Sequence, residues 1–415
     1  MIIKQLTNDE FTKFADNYSI KSIYQTKEYA FIMNKQNFES IFLGMIDNNN
    51  IVAASIFLIE KRDGFKYAYA PHGFLIDYEN NNLVSEFTNG IKKFLGKINV
   101  IALKLNPLIV KYIYNSNKEI IYSNPKFEEI FNNLKKLGYY HLGFNDNFEA
   151  LKPRFEAVID LNRPYFETFS NIKKEYRTKI RNADNNGVTI YKGNQNTLQY
   201  LYLETKNKYP RDLRYYQDCY YFYEKRNLID FYYAKLDSTH FLKNLQTKYQ
   251  LKVQESEKFN HDVIMTKNIN TKKSIAKKIS LENQVSEYRV NLINATNIMS
   301  QNPTGVVIAS LLTIKYGDTI YMLMDGYDSK YKKFNAKHLL IWKLIEKYSK
   351  EGYKKFSIGG LANITKDTKY SGLTQFKLNF GANVYEYIGD LELITNGPLY
   401  FMYQNARPLA KILKK

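Results

Sequence analysis

The chain has 415 residues, 44% of them hydrophobic, which is more than one ordinary core holds and enough for about two or three. Sixty Lys and Arg against 41 Asp and Glu leave a net charge of +19, which biases the surface toward polyanions or anionic headgroups; the Lys- and Asn-rich usage of an AT-rich genome accounts for the same excess. One cysteine, Cys219, excludes an internal disulfide framework and a cysteine-based zinc cluster, and no apolar run reaches the roughly 18 residues needed to span a bilayer.

Met1 to Thr7 runs straight into a polar helical stretch at 7–17 without the apolar segment of a signal peptide, so a cytoplasmic location with at most peripheral membrane contact is expected. Ser40–Ile46 and Ile51–Ile59 read as strands, and the Asn48-Asn49-Asn50 turn makes them a hairpin. Tyr67 to Phe74 is a strand ending in a Pro71/Gly73 turn. Helices near 82–95 and 126–137 and a strand at 98–105 complete a mixed sheet with helices on it. The theme restarts with the strand Phe155–Leu161, a helix from Tyr165 to Asn185 stopped by Asn186-Gly187, and the strand Val188–Tyr191. It resumes after about residue 304 with Val306–Ile314, a turn at Tyr316-Gly317-Asp318, Thr319–Met324, a helix near 334–350 and the strand Lys355–Ile358. The pattern predicts two related α/β units, the second interrupted.

The interruption contains neither Gly nor Pro from Phe241 to Ser300, which favours unbroken helix. Leu242, Leu245, Tyr249, Phe259 and Val263 make one apolar seam, in which Lys252 and Ser256 take two positions. Leu281, Val285, Tyr288, Leu292, Ala295 and Met299 make another. Two seams of similar length, with polar residues around Lys267 to Lys273 between them, predict an antiparallel coiled-coil hairpin; a single long helix is the alternative. Lysines along it, from Lys243 to Lys278, suit either a phosphate backbone or plain solvation.

Near the C-terminus, Gly372-Leu-Thr-Gln-Phe376-Lys377-Leu-Asn-Phe380-Gly381 leads into Tyr385-Glu-Tyr387-Ile-Gly389. A lysine between aromatics at the entry to an alternating strand reads as a positioned cation. This block resembles the closing signature of the Fem family of peptidoglycan bridge-forming aminoacyltransferases. The resemblance extends over nearly the whole chain: Tyr24-Gln25 with Tyr29, Tyr69-Ala-Pro-His72-Gly73, Arg177-Thr-Lys179-Ile180-Arg181, Arg211-Asp212 with Tyr215-Tyr216, Tyr321 with Asp325-Gly326, and Asn396-Gly-Pro398.

The resemblance implies an α/β (α+β) fold of two acyltransferase-like, GNAT-type domains with the helical arm inserted in the second. The domains would span 1–145 and, discontinuously, 146–240 with 304–400; the arm would span 241–303 and a C-terminal helix or tail 401–415. It implies transfer of an amino acid, Gly or else Ala or Ser, from aminoacyl-tRNA to an amine of a lipid-linked peptidoglycan precursor or a growing bridge. Expected partners are that tRNA, that precursor, the inner face of the membrane and homologous enzymes. No cofactor is expected, since aminoacyl-tRNA is a co-substrate. Lys377 would stabilise the oxyanion or the leaving ribose oxygen. Arg211 would bind the precursor with Tyr215, Tyr216 and Tyr321, and Arg177, Lys179 and Arg181 would meet tRNA phosphates. Met33 stands where relatives carry a substrate-binding lysine, and Lys35 would reach the same phosphate through a shifted turn; His72 replaces the usual arginine before Gly73.

The residues exclude some chemistry on their own. No Gly-x-Ser-x-Gly elbow occurs, Cys219 has no neighbouring His in sequence, and the five histidines lack metal-ligand spacing, so no metal is expected. Two other classes share parts of the pattern. An acyl-CoA N-acyltransferase would need a Gly-rich pyrophosphate loop that is missing here. A non-catalytic tRNA- or RNA-binding or immunity protein would use the charge and the arm alone.

Overall fold

The computed structural model describes residues 1–415 except 147–151, 208–210, 266–270, 367–368 and 414–415, with backbone alone over 406–413. In chain order, β1 (Ile2–Gln5), β2 (Glu39–Asp47), β3 (Asn50–Arg62), β4 (Phe65–Ala70) and β5 (Val100–Leu105) build the first sheet. The chain then crosses to the second sheet for β6 (Val110–Tyr114) and β7 (Ile120–Ser123) and returns for β8 (Tyr139–His141). Strands β9 (Phe155–Asp160), β10 (Val188–Lys192), β11 (Ile229–Leu236), β12 (Val306–Tyr316), β13 (Thr319–Tyr327), β14 (Lys355–Leu361) and β15 (Asn383–Tyr387) lie in the second sheet, and β16 (Leu391–Ile394) goes back to the first. The sheets have seven and nine strands, ordered β1-β2-β3-β4-β5-β16-β8 and β10-β11-β12-β13-β14-β9-β15-β6-β7. Each is antiparallel except for one parallel pair, β4 with β5 and β13 with β14.

Local chemistry fixes the predicted elements. Thr7 and Glu10 form a capping box on the helix Asn8–Asn17, whose Phe11 is fully buried. Asn48 and Asn49 take φ of +45° and +64°, the left-handed pair that closes a two-residue hairpin.

Sheet membership departs from the boundary expected at 145/146. Tyr114 anchors β6 on β15, its hydroxyl donating to buried Glu386 at 2.7 Å, while Leu391 and Leu393 sit opposite Leu105 and Leu103 in the first core. The two halves therefore exchange strands. The single helix expected over 165–185 is two, Tyr165–Asn171 and Lys174–Asn185: Ile172 turns extended to bury its side chain, and the Lys173 N–H donates to the Asn379 carbonyl at 3.0 Å. Lys377 lies within the helix Ser371–Leu378, not at a strand entry, because Thr374, Lys377 and Leu378 are buried at helical spacing; the alternating strand begins at Asn383. The C-terminal helix starts before 401, at Gly397.

The insertion is two long helices, Ser238–Met265 and Lys272–Gln301. The expected seams face each other, Leu245, Leu281 and Ala295 being buried and the other seam residues half-buried, and the Lys277 ammonium reaches across to the Phe259 ring. Phe241 plants the base of the pair edge-on against Phe334 in the core that backs the second sheet. The turn expected over 267–270 lies outside the described residues, while Lys272 and Lys273 open the second helix.

The segment 16–28 joins the halves. Tyr223 donates to the Ile23 carbonyl at 3.0 Å, and Arg226 pairs with Asp16 at 2.5 Å and Glu28 at 3.4 Å. Gln25, fully buried, donates to the Pro71 carbonyl at 2.7 Å and accepts from the Ile56 N–H at 3.0 Å, which ties Tyr24 and His72 to β3. Gln25→Leu would strand both backbone groups at about 1–3 kcal/mol each. A thermal melt several degrees below wild type is expected; an unchanged midpoint would show that the tie is dispensable.

Candidate active site

Strands β13 and β14 pair only from Thr319–Tyr321 against Lys355–Ser357 and then part, while the β14–β9 register shifts between Ser357 and Gly360. The second sheet opens into a notch there. Gly359, at φ +81°, lines it, and a Cβ at Gly359 would lie 3.6 Å from the Lys377 Nζ. Lys377 rises from its helix behind the notch, 6% exposed, and donates to the Gly360 carbonyl at 2.6 Å. Burial first, then Lys337, push its ammonium down to about 8 against the opposing pull of Asp325 and Glu156, so it stays mostly charged at neutral pH. Phe376 and Phe380, 5.3 Å apart, pack with Tyr176 and His338 to keep that helix in place.

Two cavities, of about 470 and 70 Å³, share His72, Glu156, Tyr321, Ser357 and Tyr387 and so form one cleft. The larger opens between Ser19, Ile20 and Lys21 from the N-terminal segment and Asp318, Lys355 and Tyr385 from the second sheet; the smaller ends at Gly359 and Gly360. Glu156 on β9 accepts from the Ser357 hydroxyl and, at 3.0 Å, from Tyr387. Tyr321 donates across the cleft to the Lys21 carbonyl at 3.1 Å. His72, held at φ +51° by its N–H bond to Asn106, meets the Ser22 hydroxyl at 3.1 Å and the Tyr24 ring edge. Burial and nearby Lys152 push it down to about 3, so it is neutral throughout the physiological range.

The expected site residues divide. Lys377 and Tyr321 come together at the cleft. Arg211 is exposed beside it, its guanidinium 3.9 Å over the Tyr215 ring and near enough to Tyr24 and Tyr29 to act on their ionisation. Tyr216 does not reach the cleft; it is fully buried, with its hydroxyl 3.0 Å from that of Thr205. Lys35 sits exposed at the end of the helix Lys27–Lys35, beside Tyr221 and away from both cavities. Arg177 and Arg181 share one side of their helix, Arg181 against Phe169, while Lys179 on the other side is paired with Glu175 at 2.5 Å.

Lys152, Glu156 and Tyr387 escaped the sequence reading. Lys152 stands in the linker with its ammonium 3.6 Å over Tyr24 and 5.6 Å from Tyr29, and burial, then Arg211, push it down to about 7. It supplies the cation beside the Tyr24–Tyr29 motif that Lys35 does not. No spacing in Leu151-Lys152-Pro153 marks it; the alternation of Phe155-Glu156-Ala157 could have marked Glu156 as facing away from the core.

Among the described residues no group of three or more His, Cys, Asp or Glu is placed to hold a metal ion, and no helix is long and apolar enough to cross a membrane. Burial pushes the Cys219 thiol up to about 12, leaving it protonated and inert as a nucleophile. What remains is a cleft with the buried Lys377 ammonium beside backbone at a notch, the Glu156 and Asp318 carboxylates, the further ammoniums of Lys21, Lys152 and Lys355, and several tyrosine hydroxyls. It can align two reactants and stabilise an oxyanion without a covalent intermediate.

The chain is similar to aminoacyltransferase FemA of Staphylococcus epidermidis, 25% identical over 422 residues that cover 99% of this chain and 100% of that protein. To FemA of Staphylococcus aureus it is 24% identical over 415 residues, 97% of each. Its fold is similar to that in the crystal structure of FemX, with a TM-score of 0.74 and 19% identity over 97% of this chain and 99% of that one. Fold and relatives together define an aminoacyltransferase. The FemAB family profile matches residues 6–407, and the chain belongs to the FemAB family.

Proposed function

We propose that this enzyme moves an amino acid from aminoacyl-tRNA to an amine of a peptidoglycan precursor, either on the stem peptide or on the growing interpeptide bridge. The observation that carries the reading is the buried Lys377 ammonium behind the notch of a cleft built by both domains. As the amine attacks the ester carbonyl, a C–N bond forms, the carbonyl oxygen gains charge beside Lys377, the C–O bond to the ribose breaks and the ribose oxygen takes up the proton lost by the amine. The ester is already activated, so positioning and charge stabilisation suffice, and no cofactor is invoked. The 70 Å³ inner cavity favours a small amino acid, Gly or else Ala or Ser.

Arg211, braced on Tyr215, offers a guanidinium fork to the diphosphate or carboxylate of the lipid-linked precursor, with Lys152 alongside. Arg211→Ala is expected to raise the acceptor KM about 10- to 100-fold with a smaller change in kcat; an unchanged KM would remove Arg211 from acceptor binding. The paired helices are read as a coiled coil whose lysines, with Arg177 and Arg181, contact the tRNA. A cytoplasmic enzyme touching the inner face of the membrane, working beside homologous enzymes, fits a lipid-linked acceptor.

The test is the mass of the peptidoglycan cross-bridge in cells with and without the gene. Loss of one or more residues from the bridge supports the reading and identifies the amino acid and its position. A bridge of unchanged mass would overturn it.

A further inference from the structure

Glu156 stands where the two cavities meet, with Lys152 lining the inner one and Lys21 and Lys355 the outer. Two neutral hydroxyls, of Ser357 and Tyr387, fix the orientation of its carboxylate but do not compensate its charge. Among the described residues it forms no ion pair within 4.0 Å, and Lys377 is turned to the Gly360 carbonyl. An ionised carboxylate has about four lone-pair positions, so two stay open after the hydroxyls are counted. Tyr24, Tyr385 and Tyr387 line the adjoining walls, the Tyr24 ring carrying the Lys152 ammonium at 3.6 Å, and the Tyr321 hydroxyl, which donates to the Lys21 carbonyl, keeps lone pairs for a further donor. A carboxylate with open lone pairs and a neighbouring acceptor suits a primary ammonium, which has three donors.

We propose that Glu156 anchors a primary ammonium of a substrate at this junction. The assignment rests on the transfer reading above and deepens it. Two substrates of the reaction carry that chemistry: the acceptor amine and the α-amino group of the esterified amino acid. A charge-assisted bond of this kind corresponds to about a 10- to 100-fold preference for the free amine over its N-acetyl form.

The experiment compares the full chain with Glu156→Gln, which preserves shape and keeps both hydroxyl contacts by reversing the direction of one, and with Glu129→Gln, an exposed carboxylate outside both cavities, as a control. Each is titrated with a nucleotide-linked muropeptide and its N-acetylated form, and with glycyl-tRNA and N-acetylglycyl-tRNA. The expected result is that wild type and Glu129→Gln prefer one free amine about 10- to 100-fold and that Glu156→Gln loses this preference with its melting temperature unchanged. Loss confined to the muropeptide arm assigns the acceptor amine, and loss confined to the tRNA arm assigns the donor α-amino group. A preference retained in Glu156→Gln overturns the proposal and leaves the transfer reading standing. Failure of the wild type to bind either partner overturns that reading, and this proposal with it.

Discussion

Lys377→Met is expected to lower single-turnover transfer about 10²–10³-fold while binding of both substrates stays close to wild type, because the ammonium meets negative charge only as the carbonyl becomes tetrahedral. The side chain is 6% exposed and donates to the Gly360 carbonyl, so it touches the notch without closing it. The pH profile separates this role from simple packing. The charged form exists below about 8, so wild-type transfer should fall as pH rises through that value, and the residual activity of Lys377→Met should lack that limb. Stability carries the opposite sign. With the folded-state value lowered from 10.5 to about 8, the unfolded chain binds more protons between them, so raising the pH across that window stabilises the wild type relative to Lys377→Met. Equal transfer by the variant would remove Lys377 from the chemistry.

Arg154→Met is expected to destabilise the protein by about 3–5 kcal/mol, the largest structural effect at any single position discussed. Arg154 and Glu386 form an ion pair with side chains 4% and 8% exposed, and Arg154 also donates to the Asn145 carbonyl at 3.0 Å. Truncation leaves the buried Glu386 carboxyl, among the described residues, with the Tyr114 hydroxyl as its remaining side-chain partner. The double variant Arg154→Met with Glu386→Leu should recover much of the loss, since replacing a buried pair by apolar groups is often neutral. Urea titrations of the three proteins measure the coupling, and a single variant within about 0.5 kcal/mol of wild type would show that the pair does not hold this junction. The effect reaches the cleft directly, because Tyr385 on β15 lies opposite Glu156 on β9.

Much of this architecture can be read from local chemistry, and its failures have a common cause. The β2–β3 hairpin was legible because Asn48 and Asn49 tolerate left-handed backbone, and the paired arm helices because their apolar seams repeat at helical spacing. The exchange of β6, β7 and β16 between sheets was not legible, since strands of four or five residues carry little periodicity and their partners are more than 200 residues away for β6 and β16. The break at Ile172 is a tertiary override, in which burial and a bond to Asn379 outweigh helix continuation. At the site, Lys377 and Tyr321 stood in motifs with neighbours to mark them. Lys152 and Glu156 acquire meaning only when the linker and β9 are folded against the segment 16–28, and of the adjacent Tyr215 and Tyr216, both buried and lining neither cavity, only Tyr215 carries the Arg211 guanidinium, a difference visible only in three dimensions.

Reconstituted transfer tests the central claim most directly. The purified full chain is incubated with tRNA pools charged with labelled Gly, Ala or Ser and a lipid-linked or nucleotide-linked muropeptide. Label is expected to appear on the muropeptide in amide linkage, stable to the mild base that hydrolyses the tRNA ester, and to fall about 10²–10³-fold with Lys377→Met. Binding of both partners without amide formation by the wild type would contradict the account.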